Sequence, residues 1–188
     1  MNPNNAPKRC GWANLKNPLY IDYHDNEWSV PCRDDERLFE MLILESFQAG
    51  LSWECVLNKR AAFREAFDGF DIEKVCRYDD DKKSRLMQDS AIIRNKLKIN
   101  AAVNNAVIFK SIQQEFGTFA DYIWGFTGGE VIYESDKTSS PLSDAVSKDL
   151  KNRGMKFVGT TIIYSYLQAV GVIYSHEKGC FKYKEASK

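Results

Sequence analysis

"SDAVSKDLKNRGMKFVGTTIIYSYLQAVG", residues 143–171, predicts two helices joined by a tight turn. The first should run from Ser143 to about Asn152, and the second from Thr160 to about Val170. Gly154 and Gly159 bracket the turn, and glycine adopts the backbone conformations that a tight reversal needs. Free N–H groups in the turn and at the start of the second helix can bind an anion. The stretch therefore predicts a paired-helix unit with an anion-binding turn.

Basic residues concentrate locally although the formal net charge of the chain is zero. Residues 143–160 carry four basic and two acidic side chains, and residues 85–98 carry four basic and one acidic. Such patches can contact phosphates. Solvated faces of ordinary helices explain the same counts equally well, so both interpretations stay open at this point.

Most of the remaining chain also has the periodicity and punctuation of helices. We predict helices from about Asp35 to Gly50, from Ser52 to Phe67, after Asp71, after Asp80, from Asn95 to Gly117, and after a capping Thr118. One short extended piece is predicted at Val131–Tyr133. The fold class is therefore all-α, in a single domain of residues 1–188. We expect residues 1–9 and 182–188 to be flexible tails.

The composition excludes several classes of protein. Of the 188 residues, 44% are hydrophobic and 28% charged, as in soluble globular proteins. No apolar run approaches the roughly 18 residues of a membrane span, and the polar N-terminal segment lacks the apolar centre of a signal peptide. Five irregularly spaced cysteines argue against a disulfide framework. We therefore expect a cytoplasmic protein with no membrane partner.

Both histidines of the chain lie near a cysteine. Cys10 precedes His24 by fourteen residues, and His176 precedes Cys180 by four. Zinc is commonly held by four Cys and His ligands, and a closed set of four is structural. The two pairs could therefore form one zinc site that clamps the ends of the chain together. The alternative is that each histidine is simply packed and hydrogen-bonded.

One carboxylate lies on a helical face that should be apolar. Leu38, Leu42, Glu45 and Ala49 share a stripe at helical spacing. Burying an unpaired carboxylate is costly, so Glu45 should have a partner or a function. The alternative is that the stripe ends at Leu42 and Glu45 reaches solvent or a lysine.

Aromatic residues lie close to this stripe in the sequence: Trp12, Tyr20, Tyr23, Trp28 and Trp53. Ordinary core packing is the usual role of such residues. Together with Glu45 they could instead form a pocket for a flat, positively charged ligand, which would be bound by stacking, cation–π attraction and charge pairing.

These residues together resemble the bacterial DNA-3-methyladenine glycosylase I enzymes of the helix-hairpin-helix superfamily. The resemblance runs from about Arg9 to about Cys180. It is carried by RCGW (9–12), PLYIDYHDNEW (18–28), LFEMLILESFQAGLSW (38–53), IIRNKLKI (92–99), LKNRGMKFVGTTI (150–162) and the GCF that follows His176.

The resemblance implies roles for particular residues. Structural Zn²⁺ would be held by Cys10, His24, His176 and Cys180. Glu45 would be the catalytic residue at the methylated base, with Tyr23 and Trp53 stacking on it and Trp12, Tyr20 and Trp28 as further pocket residues. The paired-helix unit of residues 143–171, a helical hairpin, would bind the DNA backbone. Contacts are expected from Gly154, Lys156, Phe157, Val158, Gly159, Thr160 and Arg94.

The implied activity is excision of 3-methyladenine from alkylated double-stranded DNA. The enzyme would act as a monomer, flip the nucleotide out, hydrolyse the glycosidic bond and leave an abasic site, without a lysine nucleophile. Ser175 stands where many members of the superfamily carry a catalytic Asp, and Ala91 stands where glycine is frequent. Two rivals remain at this stage: a zinc-stapled DNA-binding module without catalysis, and a zinc hydrolase with an open coordination position.

Overall fold

The computed structural model describes residues 7–185, and almost all regular structure in this range is helical. The helices, in chain order, are α1 (Pro18–Asp22), a π-helix (Tyr23–Glu27), α2 (Asp35–Gln48), α3 (Trp53–Leu57), α4 (Arg60–Ala66), a 3₁₀ turn (Asp68–Phe70), α5 (Ile72–Val75), α6 (Asp80–Gln88), α7 (Lys96–Phe116), α8 (Phe119–Gly125), α9 (Pro141–Asn152) and α10 (Thr160–Ala169). The prediction of a helical fold is confirmed. The outer parts of the predicted tails, residues 1–6 and 186–188, lie outside the described residues.

Capping residues set the helix boundaries that the sequence predicted. The Asp34 side chain accepts a hydrogen bond from the Arg37 N–H and starts α2. Asn95 caps α7 in the same way, and Gly117 ends it with φ at +91°. Glycine reaches this positive φ without steric cost, so a helix of 21 residues ends where the sequence predicts.

The predicted helix from Ser52 to Phe67 is wrong in one respect, because it is interrupted at Asn58 and Lys59. Lys59 leaves the helical region at φ −102° and ψ 0°. Contacts with distant segments stabilise the break, since Asn58 Oδ1 accepts a hydrogen bond from Asn17 Nδ2 and Lys59 Nζ donates one to the Ala91 carbonyl. Such contacts are invisible to a local helical pattern.

Two short strands join distant parts of the chain. β1 (Ile132–Tyr133) lies within the predicted extended piece and pairs in parallel with β2 (Ile173–Tyr174), which the sequence did not predict. Gly171 turns the chain into β2 with φ at +73°. A Cβ there would lie 2.3 Å from the Val30 carbonyl carbon, so this crossing requires glycine.

The core is built around α2. Its side chains are buried on nearly every face, including Leu38, Phe39, Leu42, Ile43, Leu44 and Phe47. α10 packs against α2 and against α9. α2 therefore crosses the centre of the molecule, and Glu45 lies near its C-terminal end. Within residues 7–185, no helix has the length and apolar character to span a membrane.

Candidate functional site

A cavity of about 380 Å³ opens beside the C-terminal half of α2. Its walls include the carboxylate and all five aromatic residues singled out in the sequence: Trp12, Tyr20, Tyr23, Trp28, Glu45 and Trp53. These side chains come from the N-terminal segment, the π-helix, α2 and α3. The fold therefore brings them together in one pocket.

Tyr23 and Trp53 contact each other in the buried part of this pocket. Their ring centroids lie 5.1 Å apart with the planes inclined at 44°. On another wall, Trp12 meets Trp28 edge-on at 4.6 Å and Tyr20 at 5.7 Å. An aromatic lining of this kind favours a flat ligand and attracts a cationic one.

Glu45 is buried, with 3% of its surface exposed. Its Oε2 finds no hydrogen-bond partner among residues 7–185. Burial raises the pKa of this carboxyl from its ordinary value of 4.5 to about 8. The interpretation that Glu45 reaches solvent or a lysine is therefore wrong, and the group is free to accept a hydrogen bond from a ligand.

Two other polar groups in the pocket, the Trp53 indole N–H and the Tyr23 hydroxyl, are buried beside Glu45. The Trp53 Nε1–H also lacks a partner within the described part of the chain. Burial, and next the nearby Glu45 carboxylate, raise the pKa of the Tyr23 hydroxyl well above its usual range. Tyr23 therefore stays a neutral phenol at physiological pH.

Local sequence explains how the pocket side chains are held. The Ser52 side chain accepts a hydrogen bond from the Cys55 N–H and caps α3, which places Trp53 at the first helical position. Lys98 Nζ donates to the carbonyls of Phe47 and Ala49 at 2.8 and 2.6 Å. This buried cation satisfies the C-terminal carbonyls of α2 and fixes the turn between Glu45 and Trp53.

Apart from Ser175, sequence reasoning missed the polar half of the pocket. This half consists of Gln48, Asp136, Lys137, Ser165, Gln168, Ser175 and Glu177. Gln168 Nε2 donates to Ser175 Oγ at 2.8 Å. Ser165 and Gln168 interrupt the apolar run of α10 at a spacing of three, a pattern that could have revealed them.

The four predicted metal ligands form a buried cluster in which all four ligand atoms lie within 4.8 Å of one another. Cys10 Sγ lies 3.5 Å from His176 Nδ1, and Cys180 Sγ lies 3.5 Å from His24 Nε2 and 3.7 Å from His176 Nδ1. Tetrahedral Zn²⁺, with bonds of about 2.3 Å to sulfur and about 2.0 Å to nitrogen, separates its S and N ligands by about 3.5 Å. The donor set and its dimensions fit zinc.

Groups around the cluster also suit a metal. The backbone N–H groups of Glu177 and Lys182 donate to Cys10 Sγ and Cys180 Sγ, each at 3.4 Å. Asp25 Oδ1 lies 2.7 Å from His24 Nδ1, the ring nitrogen turned away from the cluster. Carboxylates commonly orient metal-binding histidines in this way. Burial lowers the pKa of His176 to about 4 and so favours the neutral imidazole that metals bind.

Arg9 lies at the edge of the Cys–His cluster and forms an ion pair with Asp25. Its Nη2 lies 2.6 Å from Asp25 Oδ2. This hydrogen-bonded pair lowers the pKa of Asp25. The Phe181 N–H donates to the Lys8 carbonyl at 2.7 Å. The N-terminal segment therefore lies directly against the segment that carries Cys180.

The turn between α9 and α10 exposes only part of the predicted DNA-contacting set. Lys156 and Arg94 are exposed, and Gly154, Phe157, Gly159 and Thr160 are half-buried. Val158 is buried and its carbonyl accepts a hydrogen bond from Ser147 Oγ, so its side chain is unavailable to DNA. Thr160 Oγ1 donates to Asp144 at 2.6 Å.

One basic residue of this hairpin already has partners. Arg153 pairs with Glu115 at 2.6 Å and with Asp149 at 2.7 Å. The local charge counted from the sequence therefore overstates the positive charge that the hairpin can offer to a phosphate.

Comparison with known proteins identifies the class to which this fold and pocket belong. A sequence model of the methyladenine glycosylase family matches residues 12–183. The chain belongs to this family.

Particular relatives agree over nearly the whole chain. DNA-3-methyladenine glycosylase 1 of Escherichia coli (strain K12) is 46% identical over 182 residues, which cover 94% of this chain and 97% of the relative. A crystal structure of 3-methyladenine DNA glycosylase I superposes with a TM-score of 0.90 at 44% identity, covering 94% of this chain and all of the other. A variant of 3-methyladenine DNA glycosylase I in complex with 3-methyladenine gives a TM-score of 0.90 at 34% identity, covering 95% of this chain and 99% of the other.

Proposed function

We propose that this protein is a DNA repair glycosylase that excises 3-methyladenine from alkylated double-stranded DNA. It hydrolyses the N-glycosidic bond and leaves an abasic site. One observation carries the proposal: a buried carboxylate, Glu45, with an oxygen that has no partner in residues 7–185, lies in a pocket between aromatic rings. The function of the relatives, one of which is solved with 3-methyladenine bound, supports it.

The chemistry of the substrate matches this pocket. A 3-methyladenine nucleoside carries a positive charge, which weakens its glycosidic bond before any enzyme acts. A base within a duplex cannot be reached, so the nucleotide must be flipped into the pocket. Tyr23 and Trp53 then stack on the flipped ring, and its charge favours the aromatic faces.

Glu45 acts by being both buried and ionisable. In the empty pocket its raised pKa keeps the carboxyl mostly protonated at pH 7. Entry of a cationic base favours the carboxylate, so the proton is released as the base binds. The carboxylate then accepts hydrogen bonds from the base. It can also stabilise positive charge on the sugar or orient the attacking water.

The proposed reaction has no covalent intermediate with a lysine. Lys137 lines the pocket, but its Nζ pairs with Glu134 Oε1 at 3.3 Å. Incubation with an abasic duplex and borohydride checks this point. A trapped covalent adduct, lost in Lys137→Met, would contradict hydrolysis by water.

We further propose that Cys10, His24, His176 and Cys180 hold a structural Zn²⁺. Zinc would supply a closed cross-link between the two ends of the chain, because all four ligand positions are taken by side chains. No position is then left for a catalytic water, which argues against a zinc hydrolase. Cys180→Ser should lower zinc content and melting temperature together. Zinc near one per chain with unchanged melting would refute the assignment.

The hairpin between α9 and α10 is the proposed contact with the DNA backbone, through Lys156 and the exposed backbone around Gly154 and Gly159. Arg94 extends this surface just before α7. We propose that the enzyme acts as a monomer, because one chain supplies the whole pocket. We also propose a cytoplasmic location, because the substrate is DNA and because cysteines without disulfide partners, such as Cys32 and Cys55, stay reduced there.

Chromatography of the bases released from methylated duplex DNA tests the proposed function. We expect free 3-methyladenine, while 7-methylguanine stays in the DNA. If a folded, zinc-loaded sample binds the damaged duplex but releases no base, the protein is a damage-binding module and the proposal fails.

A further inference from the structure

A partly buried network of ion pairs, with Arg60 and Glu40 at its centre, lies at the end of the π-helix that carries Tyr23. Arg60 Nη1 donates to both carboxylate oxygens of Glu27, at 2.9 and 2.7 Å. On its other side, Arg60 Nε donates to Glu40 Oε1 at 2.8 Å. Arg64 also binds Glu40, at 2.6 and 3.0 Å. We call Glu27, Arg60, Glu40 and Arg64 the ion network.

Stability alone does not explain such a network. The side chains of Arg60 and Glu40 are only 9% and 7% exposed. Removing charges from water to this extent costs several kcal/mol, and well-packed apolar residues often stabilise a core as well or better. What a forked guanidinium adds is direction, because its hydrogen bonds fix the positions of both carboxylates.

The segment that the network holds has an unusual conformation. The Trp28 N–H donates to the Tyr23 carbonyl at 2.8 Å, the wide spacing of a π-helix. π-Helical turns are rare and frequently occur at functional sites. This turn presents two consecutive residues to different places: Tyr23 lines the pocket and His24 joins the Cys–His cluster. The same i to i+5 bond joins Tyr23 to Trp28, which also lines the pocket, so the π-helical turn sets the relative positions of these two aromatic residues.

Glu27 ends this π-helix and is its link to the network. The network thus connects the pocket wall to α2, through Glu40, and to α4, through Arg60.

We infer that Glu27 and Arg60 are positioning residues for base excision: their ion pair fixes the π-helical turn so that the Tyr23 ring faces Trp53. This inference rests on the proposed function. Neither residue touches the base. Their effect reaches it through the orientation of Tyr23.

The test compares Glu27→Gln, the double variant Glu27→Gln/Arg60→Met, and the control Arg37→Met. In the double variant no buried charge loses its partner, because Glu40 keeps Arg64. Arg37 is a matched control, since it also contacts Glu27, at 3.3 Å, but is 55% exposed. For each protein we would measure zinc content, melting temperature, single-turnover excision, affinity for undamaged duplex, and quenching of Trp fluorescence by free 3-methyladenine.

We expect Glu27→Gln to lower both the excision rate and the affinity for free 3-methyladenine by about 10- to 100-fold, because small misplacements of a binding group have effects of this size. Affinity for undamaged duplex should change less than about 2-fold. In the double variant, the melting temperature should return to the wild-type value, whereas the rate of excision should stay low. Arg37→Met should match the wild type in every measurement.

Two results would overturn the inference. One is recovery of excision together with melting temperature in the double variant, which means that the pair is only structural. The other is a crystal structure of the double variant with the Tyr23 and Trp53 centroids still 5.1 Å apart. Failure of the proposed function gives a different result, namely no base release by the wild type, and the crystallographic test remains valid in that case.

Discussion

Glu40 and Glu45 lie five residues apart on α2, and both are buried, yet their carboxyl groups are in opposite states. Burial acts on Glu40 too, but hydrogen bonds from Arg64 and Arg60 outweigh it and lower its pKa. Glu45 has no such compensation, and burial raises its pKa to about 8. Glu40 is therefore an anion within a network, whereas Glu45 is a neutral acid in the resting protein.

The contrast between Glu40 and Glu45 shows that a buried carboxylate can be kept either for structure or for binding. Ion-pair partners offset part of the cost of burial and make the carboxylate a fixed structural link. Leaving the partner out keeps the group able to respond to a ligand, at some expense in stability. The same helix thus holds its position through one glutamate and presents the other to the pocket, where we propose that it binds substrate.

Glu45→Gln should have the largest effect on catalysis. We expect single-turnover excision to fall about 10²- to 10⁴-fold, the usual contribution of a general acid or base. Binding to duplex DNA should change less than about 2-fold, because the hairpin is untouched. Glu65→Gln, an exposed carboxylate on α4, is the control and should behave as wild type. Equal losses of excision and binding would instead indicate misfolding.

The pH dependence of stability should reveal the unpaired state of Glu45. The pKa of Glu45 is raised in the folded protein. Its stabilising contribution to the free energy of unfolding is therefore fully present below pH 4.5 and is lost as pH rises to about 8. Between pH 4.5 and pH 8, the free energy of unfolding of Glu45→Gln should therefore rise by roughly 4 kcal/mol relative to that of the wild type. Urea unfolding of both proteins at pH 5 and pH 8 measures the gain. A constant difference would mean that Glu45 is ionised and paired.

Glu40→Gln should do the reverse and destabilise the protein by about 3 kcal/mol at pH 7, because Arg60 and Arg64 lose a buried partner. In wild type, the contribution of Glu40 is present above its unfolded pKa and is lost as acid protonates it below that value. Urea unfolding at pH 7 measures the loss. A Glu40→Gln protein as stable as wild type would show that the network carries no net interaction.

Arg64→Met should have the smallest effect. Its side chain is 53% exposed, and Arg60 remains to pair with Glu40. We expect a loss below about 1 kcal/mol by urea unfolding, as for other exposed ion pairs. A loss as large as that of Glu40→Gln would mean that Arg64, not Arg60, compensates the buried charge.

Much of the fold was readable from local sequence. Caps and terminal glycines indicated the limits of α2 and α7. The paired helices, predicted at 143–152 and 160–170, lie at 141–152 and 160–169, because Ser140 caps the first helix two residues earlier than expected. The π-helix was not predicted, because its i to i+5 bonding produces no distinct apolar repeat over five residues. β2 is equally hidden, since two residues are too few for alternation.

The unusual residues of the pocket were predicted from the sequence, whereas most of its ordinary polar residues were not. A carboxylate on an apolar stripe and five nearby aromatics indicated a pocket around Glu45, and the family resemblance singled out Tyr23 and Trp53. Asp136 and Lys137 lie in a loop without a periodic pattern, and only tertiary structure brings them to the pocket. The ion network was missed for the same reason, because Glu27 and Arg60 are 33 positions apart in the chain.

The Cys–His cluster also imposes an order in time. Cys10 and His24 are synthesised early, but they cannot be joined until His176 and Cys180 have left the ribosome. Trp12, Tyr20 and Tyr23, which share the segment with those early ligands, wait with them for the last part of the chain. Until the chain has been made as far as Cys180, the pocket is thus unfinished and base removal cannot start.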